Sequence, residues 1–292
     1  MSERHVGLLG ATSLVGECLL KQLIQNNWHI TAFSRRSITQ SHSQIAWKQL
    51  DTTNQLRIGT EENNIPFWIC AAPIWTLPDY FDLISASGAR RIVVLSSTSR
   101  FTKDTSSDPS ERKIAQQLIK GEEFVQTWAA THGVKWIILR PTLIYGYGHD
   151  KNITEIARFI RRFGFFPLLG SAKGLRQPIH VEDVASACYA ALDTLNLTNR
   201  SYNLTGSETL PYREMVKRVF ETLNHSPRML TVPLWFFQIA AWGLSWLLRY
   251  RNWTSAMAER MNQDLTFDCS DAKRDLNFSP RSFKLTAEDL PG

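Results

Sequence analysis

The 292-residue sequence predicts an α/β fold, in which a doubly wound parallel sheet is followed by a smaller C-terminal α/β lobe. Short apolar runs alternate with stretches of helical periodicity throughout the first half. Strands that alternate with helices pair in parallel and are covered by helices on both faces. A glycine turn also joins the first strand to the first helix, as in Rossmann folds.

The first half contains six expected strands. They cover residues 6–9, 28–33, 45–50, 66–72, 91–97 and 134–139. A helix is expected over residues 111–131, and it should end at Gly133 because glycine readily adopts the left-handed conformation that terminates helices.

The second half continues with helices over residues 153–163 and 181–195, a strand over 201–204 and a helix with Pro211 in its first turn. We assign residues 1–145 to the Rossmann domain and residues 146–292 mainly to a substrate lobe. Chains of this type often return to the sheet once more after the sixth strand, so such a return is expected within the lobe.

Composition and charge narrow the functional classes. The net charge is +6, but the arginines occur in separate pairs such as Arg35-Arg36 and Arg161-Arg162, and no nucleic-acid motif is present. Nucleic-acid binding is therefore not expected. The seven histidines lack ligand spacing, so no metal site is predicted.

The four cysteines are far apart in apolar or helical surroundings, which predicts buried free thiols. The first residues lead into an apolar strand without a basic-then-apolar signal segment, so a cytoplasmic location is expected.

The turn after the first strand carries the strongest chemical signal. Gly10 and Gly16 fill two positions of a Gly-x-x-Gly-x-x-Gly pattern, and Ser13 stands at the middle one. Such a turn lets the backbone approach a pyrophosphate, while the following helix presents free amides and the positive end of its dipole. An ordinary tight turn is the weaker alternative. The sequence thus predicts binding of a dinucleotide.

The end of the second strand bears on which dinucleotide is bound. NAD sites usually have a carboxylate there, whereas an arginine accommodates the 2′-phosphate of NADP. This chain has Ser34, Arg35 and Arg36 at that point, and residues 18–50 contain no acidic side chain. NADP(H) is therefore favoured over NAD(H), although arginines that only solvate a loop would give the same pattern.

Several motifs together resemble the extended branch of the short-chain dehydrogenase/reductase superfamily, which contains nucleotide-sugar epimerases, dehydratases and reductases. The likeness covers most of the chain. It rests on residues 10–16 (GATSLVG), Asp51, Ala71-Ala72, 95–98 (LSST), 139–146 (LRPTLIYG), 176–185 (RQPIHVEDVA) and 202–204 (YNL).

The resemblance implies that Asp51 and Thr52 contact the adenine and that Ala71, Ala72 and Pro73 flank the ribose and nicotinamide. With the turn and the second strand, the expected cofactor-binding residues are Gly10, Thr12, Ser13, Leu14, Val15, Gly16, Ser34, Arg35, Arg36, Asp51, Thr52, Ala71, Ala72, Pro73, Ser96 and Pro141.

The resemblance also implies a substrate contact at Arg176, whose equivalent often binds the diphosphate of a nucleotide sugar. A guanidinium fork suits that ligand, but a salt bridge to a neighbouring lobe is an equally good interpretation. His180 and Asp183 are expected to organise the start of their helix.

Family catalysis uses a serine or threonine after the fifth strand and a Tyr-x-x-x-Lys pair on the next helix. Ser97 fills the serine position, and an ungapped alignment places Ile114 and Leu118 where the tyrosine and lysine would be. Neither residue can transfer a proton, so the chain resembles the atypical branch of the superfamily. Tyr145, His149 and Ser97 are candidate replacement acids, although each also has a structural interpretation.

Residues 230–248 form a tryptophan-rich apolar segment that contains Trp235, Trp242 and Trp246 and is followed by Arg249 and Arg251. Because Pro233 interrupts the run, a membrane-spanning helix is not predicted. A helix packed in the protein is the first interpretation, and peripheral contact with a membrane interface is the second.

The sequence is consistent with two functions. The first is an NADP(H)-dependent epimerase or oxidoreductase that acts on a nucleotide sugar or lipid-linked metabolite with non-standard catalytic groups. The second is a non-catalytic dinucleotide-binding protein, such as a redox sensor, an assembly factor or a subunit of a complex. Ser97 and Arg176 favour the first, while the missing pair favours the second.

Overall fold

The computed structural model describes residues 4–39, 41–50, 64–233 and 255–292. Its centre is a parallel sheet of seven strands in the order β11-β6-β5-β4-β1-β2-β3. The strands are β1 (His5–Leu9), β2 (His29–Ser34), β3 (Ile45–Gln49), β4 (Phe67–Cys70), β5 (Arg91–Leu95), β6 (Lys135–Pro141) and β11 (Arg200–Leu204). The first six strands follow the 3-2-1-4-5-6 order of the doubly wound dinucleotide-binding fold. The predicted fold class is confirmed.

Helices cover both faces of the sheet. In chain order they are α1 (Leu14–Gln25), α2 (Phe81–Ala86), α3 (Ser99–Thr102), α4 (Pro109–His132), α5 (Ile153–Phe163), α6 (Val181–Asp193), α7 (Tyr212–Thr222), α8 (Ser255–Asn262) and α9 (Ser270–Leu276). A 3₁₀ helix (Ile74–Tyr80) follows β4 and a second one (Ala287–Asp289) lies near the C-terminus.

The alternation of side chains along each strand creates two cores. Val93 and Leu95 of β5 pack with α1 and α6 on one face. Ile92 and Val94 pack with α4 and the first 3₁₀ helix on the other. Because both faces of the sheet are buried, the inner strands β1, β4 and β5 are apolar at nearly every position, as is typical of parallel sheets. This pattern explains why the strands could be located from apolar runs in the sequence.

Helix α4 shows how local signals set the bounds of an element. Asp108 caps its start, since its carboxylate accepts a hydrogen bond of 2.8 Å from Ser110 N. Gly133 ends it with a φ of 67°. The helix begins two residues before the predicted residue 111 because Pro109, which needs no amide partner, occupies the first position. Pro211, in contrast, lies just before α7 as its N-cap residue.

The chain after β6 builds a third core and also returns to the sheet. Short strands β7 (Ile144–Tyr145), β8 (Phe166–Leu169), β9 (Leu175–Arg176), β10 (Ile179–His180), β12 (Leu210–Pro211) and β13 (Met229–Val232) form small two-stranded sheets. The third core lies between α5, α7 and β8. In contrast, β11 pairs in parallel with β6, and α6 packs against α1. The division at residue 145 remains a prediction.

The register of the sheet places the site residues along one edge. Leu9 lies beside Phe33 and Cys70, Cys70 beside Val94, and Leu95 beside Leu139. The residues that follow these strands therefore meet at the carboxyl edge, which is where ligands bind to open α/β sheets.

Among the described residues, no helix is long and apolar enough to cross a membrane. The part of the chain that the structure describes also contains no cluster of side chains suited to a metal ion. All four cysteines are free and buried, as predicted.

Candidate active site

The glycine turn lies in tight contact with the end of β4. Gly10 has a φ of 79°, and a Cβ atom at this position would lie 2.5 Å from the Ala72 amide nitrogen. A Cβ atom on Gly16 would collide with the carbonyl oxygen of Gly10. Only glycine fits at either position, so the turn keeps the backbone close to the edge of the sheet.

Ser13 fixes the start of α1. Its Oγ accepts a hydrogen bond of 3.0 Å from Gly16 N and donates one of 3.4 Å to the carbonyl oxygen of Ala71. The hydroxyl thus caps the helix and connects it to β4. Thr12 is exposed, whereas Leu14 and Val15 pack against the core. An anion at this helix start would meet backbone amides rather than the apolar side chains of Leu14 and Val15.

The end of β2 is basic and open. Ser34 is buried, and its Oγ accepts a hydrogen bond of 3.1 Å from the backbone amide of Arg36. Arg35 and Arg36 are exposed. Their contact with a dinucleotide remains a prediction. Asp51 and Thr52 lie outside the described residues.

The end of β4 forms the next part of this edge. Ala71 and Ala72 are half-buried and Pro73 is exposed. The amide of Ala71 still donates to Leu9 O over 2.9 Å. The chain then turns away into the first 3₁₀ helix. The role of these three residues beside the ribose and nicotinamide remains a prediction.

Two neighbouring serines at the end of β5 have different partners. Ser96 Oγ donates a hydrogen bond of 2.6 Å to Glu122 Oε1. Ser97 Oγ accepts a bond of 3.1 Å from Ser99 N and is partly exposed. A hydroxyl that accepts one bond keeps its own proton to donate. Of these two serines, Ser97 is the better placed to act on a ligand. Pro141, at the adjacent end of β6, is buried and accepts from Thr98 N.

A charged cluster formed by Arg100, Glu122 and Arg140 lies directly beside these serines, and the sequence analysis did not predict it as a site. Arg140 Nε and Nη2 donate to Glu122 over 3.0 and 2.6 Å, and Arg100 Nη1 pairs with the same carboxylate. The Glu122 side chain is only 2% exposed. The sequence did contain one signal for this cluster. Glu122 stands four residues after Leu118, so its carboxylate falls on the apolar face of α4, where a buried charge needs a partner.

The predicted tyrosine and lysine positions belong to the same face of α4. Leu118 is 4% exposed, and Ile114 packs against the same core cluster. Both side chains contribute to packing beneath the edge of the sheet. Their equivalence to the missing catalytic pair remains a prediction, because it depends on the alignment.

Arg176 is 4% exposed, and its guanidinium donates to backbone carbonyl oxygens. Nη1 bonds to Leu175 O at 2.7 Å and to Gln263 O at 2.8 Å, while Nη2 bonds to Arg260 O. Burial lowers the pKa of Arg176 to about 10. Among the described residues Arg176 thus contacts backbone carbonyls, including those at the end of α8, and forms no salt bridge with an acidic side chain. The role of Arg176 in diphosphate binding remains a prediction.

The other candidate acids differ in their surroundings. Tyr145 is 1% exposed, and burial raises the pKa of its hydroxyl. His149 is exposed. His180 Nδ1 accepts from Glu182 N over 3.2 Å, and its Nε2 lies 3.1 Å from Asp289 Oδ1, so this imidazole caps α6 as expected. Asp183 instead accepts two bonds from Arg281.

The sheet order, the glycine turn and the basic end of β2 define a Rossmann fold with a ligand edge of the dinucleotide-binding type. Residues 79–205 match the NAD dependent epimerase/dehydratase family. This stretch runs from the first 3₁₀ helix past β11, and it begins after the glycine turn. The expected resemblance to nucleotide-sugar epimerases and dehydratases is confirmed, and the assignment to an atypical branch without the Tyr-x-x-x-Lys pair remains a prediction.

Individual relatives are distant. An uncharacterized protein, y4nG of Sinorhizobium fredii, is 24% identical over 93% of this chain and 74% of that protein. The mitochondrial NADH dehydrogenase [ubiquinone] 1 alpha subcomplex subunit 9 of Arabidopsis thaliana is 30% identical over 33% of this chain and 24% of its own length. The structure of a UDP-glucuronic acid 4-epimerase from Bacillus cereus, in complex with UDP-glucuronic acid and NAD, superimposes with a TM-score of 0.72. It is 14% identical and covers 98% of this chain and 96% of its own.

Proposed function

We propose that this chain is an NADP(H)-dependent epimerase or oxidoreductase that acts on a nucleotide sugar with non-standard catalytic groups. The close approach of Gly10 to Ala72 at the carboxyl edge carries the proposal, because it creates a backbone surface suited to a pyrophosphate. The family match over residues 79–205 supports the enzyme class. The B. cereus epimerase supports a nucleotide-sugar substrate, since its structure contains one.

The preference for NADP(H) rests on Arg35 and Arg36. Both arginines are exposed beside the end of β2, where a 2′-phosphate would lie. Calorimetric titration should show NADPH binding at least about tenfold more tightly than NADH, since charged hydrogen bonds contribute about 1.5–3 kcal/mol. The Arg35→Gln, Arg36→Gln double variant should remove most of the difference. Equal affinities in the wild-type chain would refute the preference.

Catalysis in this proposal depends on Ser97 in place of the usual phenol. NADP(H), when bound, supplies hydride transfer, and Ser97 positions the substrate or transfers a proton at its Oγ. Ser97→Ala should lower turnover by about a hundredfold or more while the affinity for NADPH stays nearly unchanged. Ser99→Ala is a matched control, because it removes a neighbouring hydroxyl and keeps the amide that bonds Ser97 Oγ. Full activity of Ser97→Ala would exclude this role.

The second candidate function is that of a non-catalytic dinucleotide-binding subunit. It is favoured by the similarity to the plant NADH dehydrogenase subunit and by the apolar pair Ile114 and Leu118. A panel of nucleotide sugars, aldehydes and ketones separates the two functions. If the chain is a binding protein, NADPH will bind, but no substrate will be converted above background. For either function we propose a cytoplasmic location.

A further inference from the structure

The cluster of Arg100, Glu122 and Arg140 carries an excess of positive charge. Two guanidiniums share one carboxylate, which leaves a net charge of +1 where the side chains are 21%, 2% and 14% exposed. Charge in such surroundings is costly unless it is paired. The ion pairs of the described residues give neither arginine a second acidic partner.

Each arginine also keeps donor groups that are not used. Arg100 pairs with Glu122 through Nη1 and Arg140 through Nε and Nη2. In the part of the chain that the structure describes, Arg100 Nη2 and Arg140 Nη1 form no hydrogen bond, and Arg100 Nε is buried without an acceptor. Glu122 thus holds two guanidiniums in fixed positions while Arg100 Nη2 and Arg140 Nη1 stay available.

The location of the cluster connects it with the candidate active site. Ser96 and Arg140 both bond to Glu122, and Ser97 follows Ser96 at the carboxyl edge. Both guanidiniums also contact the ring of Phe101, and their carbon atoms are 5.1 and 5.3 Å from its centroid. The ring of Phe267, from the C-terminal half, is 6.0 Å from that of Phe101. The cluster therefore lies where the sheet edge meets the substrate lobe, a usual place for a ligand.

We propose that Arg100 and Arg140 form an anion site that binds a carboxylate or phosphate group of the substrate beside Ser97. Guanidinium groups bind such oxyanions through paired, charge-assisted hydrogen bonds. This inference rests on the proposed function for its substrate, and it narrows the substrate class to molecules with a second anionic group in addition to the nucleotide diphosphate. An anion at this site would also neutralise the unpaired charge.

The test compares two ligands that differ mainly in one carboxylate. The full chain, saturated with NADP⁺, is titrated by calorimetry with UDP-glucuronate and with UDP-glucose. Wild-type protein should bind UDP-glucuronate about tenfold more tightly. Arg100→Gln should reduce the ratio to less than about twofold, Arg100→Lys should retain part of it, and Arg158→Gln, an exposed arginine on α5, should leave it unchanged.

Two further titrations distinguish failure of the anion site from failure of the proposed nucleotide-sugar function. Free glucuronate and inorganic phosphate, titrated into the same NADP⁺-saturated protein, show whether a carboxylate or a phosphate is preferred. If neither UDP-sugar binds but one of these anions binds in an Arg100-dependent manner, the nucleotide-sugar function fails and the anion site stands. If UDP-glucose and UDP-glucuronate bind equally to wild-type and Arg100→Gln proteins, the anion site is wrong. In that case Arg100→Gln would lower only the melting temperature, as expected for a purely structural ion pair.

Discussion

Gly10 combines two constraints at a single residue. Its φ of 79° is unfavourable for other residues, and its Cα faces the backbone of β4. We expect Gly10→Ala to destabilise the protein by about 2 kcal/mol or more and to weaken NADPH binding, because the turn must move away from Ala72. Denaturant unfolding and calorimetry measure the two effects.

Gly133 provides the control for Gly10. Its φ is 67°, but a Cβ atom there would have no neighbour within 4 Å. Gly133→Ala should therefore cost only about 1 kcal/mol of backbone strain and leave NADPH affinity unchanged. Equal effects of the two substitutions on cofactor affinity would contradict the role assigned to the close approach at Gly10.

Tyr147 contributes to stability in a manner that depends on pH. Its hydroxyl donates a hydrogen bond to Glu182, which lowers the pKa of that carboxyl group; burial opposes this effect and Arg281 reinforces it. A folded-state pKa below the unfolded value stabilises the protein above the unfolded pKa, and the contribution disappears as the pH falls through the folded pKa.

We therefore expect Tyr147→Phe to lower the free energy of unfolding by about 1 kcal/mol at pH 7. This value already allows for solvent, which screens the interactions of the partly exposed Glu182 carboxylate. The Glu182 side chain is 42% exposed. The difference from wild type should shrink as the pH falls below the ordinary glutamate pKa and then through the lowered pKa of Glu182 in the folded protein. Urea unfolding across this pH range measures it. Tyr189→Phe, in the same helix as Glu182, should show no such pH dependence.

At the scale of elements, two buried arginines that lie in strands donate hydrogen bonds to carbonyl groups at the ends of helices. Arg91 in β5 donates to Ala191 O and Thr194 O at the end of α6, and Arg176 donates to Arg260 O and Gln263 O at the end of α8. In each case a strand residue satisfies carbonyl groups that a helix leaves free. This similarity supports a structural role for Arg176.

Arg176→Met separates the structural role from substrate binding. We expect a loss of about 2 kcal/mol in the free energy of unfolding, because the carbonyl groups lose their donors, and little change in UDP-glucose affinity. Arg91→Met should behave in the same way and serves as the reference for a helix end. A fall in UDP-glucose affinity with unchanged stability would instead support diphosphate binding by Arg176.

Element bounds were predicted within a few residues wherever a local signal existed. The strand predicted at 45–50 appears as Ile45–Gln49, and the helix predicted at 153–163 as Ile153–Phe163. The helix predicted at 181–195 ends earlier, at Asp193. Arg91 donates to carbonyl groups at this end, a contact across about a hundred residues that local periodicity does not contain.

At the scale of the whole molecule, contact with a membrane remains a prediction for residues 230–248. Residues 234–248 lie outside the described part of the chain. In the described part, Leu230 is 54% exposed and Phe163 is 42% exposed, and Arg161 and Arg162 are exposed on the adjoining helix α5. Exposed apolar groups beside arginines are typical of surfaces that meet anionic lipids.

We expect the full chain to sediment partly with vesicles that contain phosphatidylglycerol and less with phosphatidylcholine vesicles. The variant Trp235→Ala with Trp242→Ala should be released from the anionic vesicles. Phe124→Ala removes an exposed aromatic residue of α4 and should bind as the wild type does. Absence of sedimentation with either lipid would leave only the packed-helix interpretation of this segment.

The sequence by itself determined the sheet and its ligand edge. Apolar strands, helix caps and the glycine turn act over a few residues, so backbone preference and periodicity suffice to place them. Only the tertiary structure decided the partners of the buried polar groups. Glu122 meets Arg100 and Arg140, Arg176 meets the end of α8, and His180 meets Asp289. These partners lie between 18 and 109 positions apart, and packing rather than local sequence brings them together.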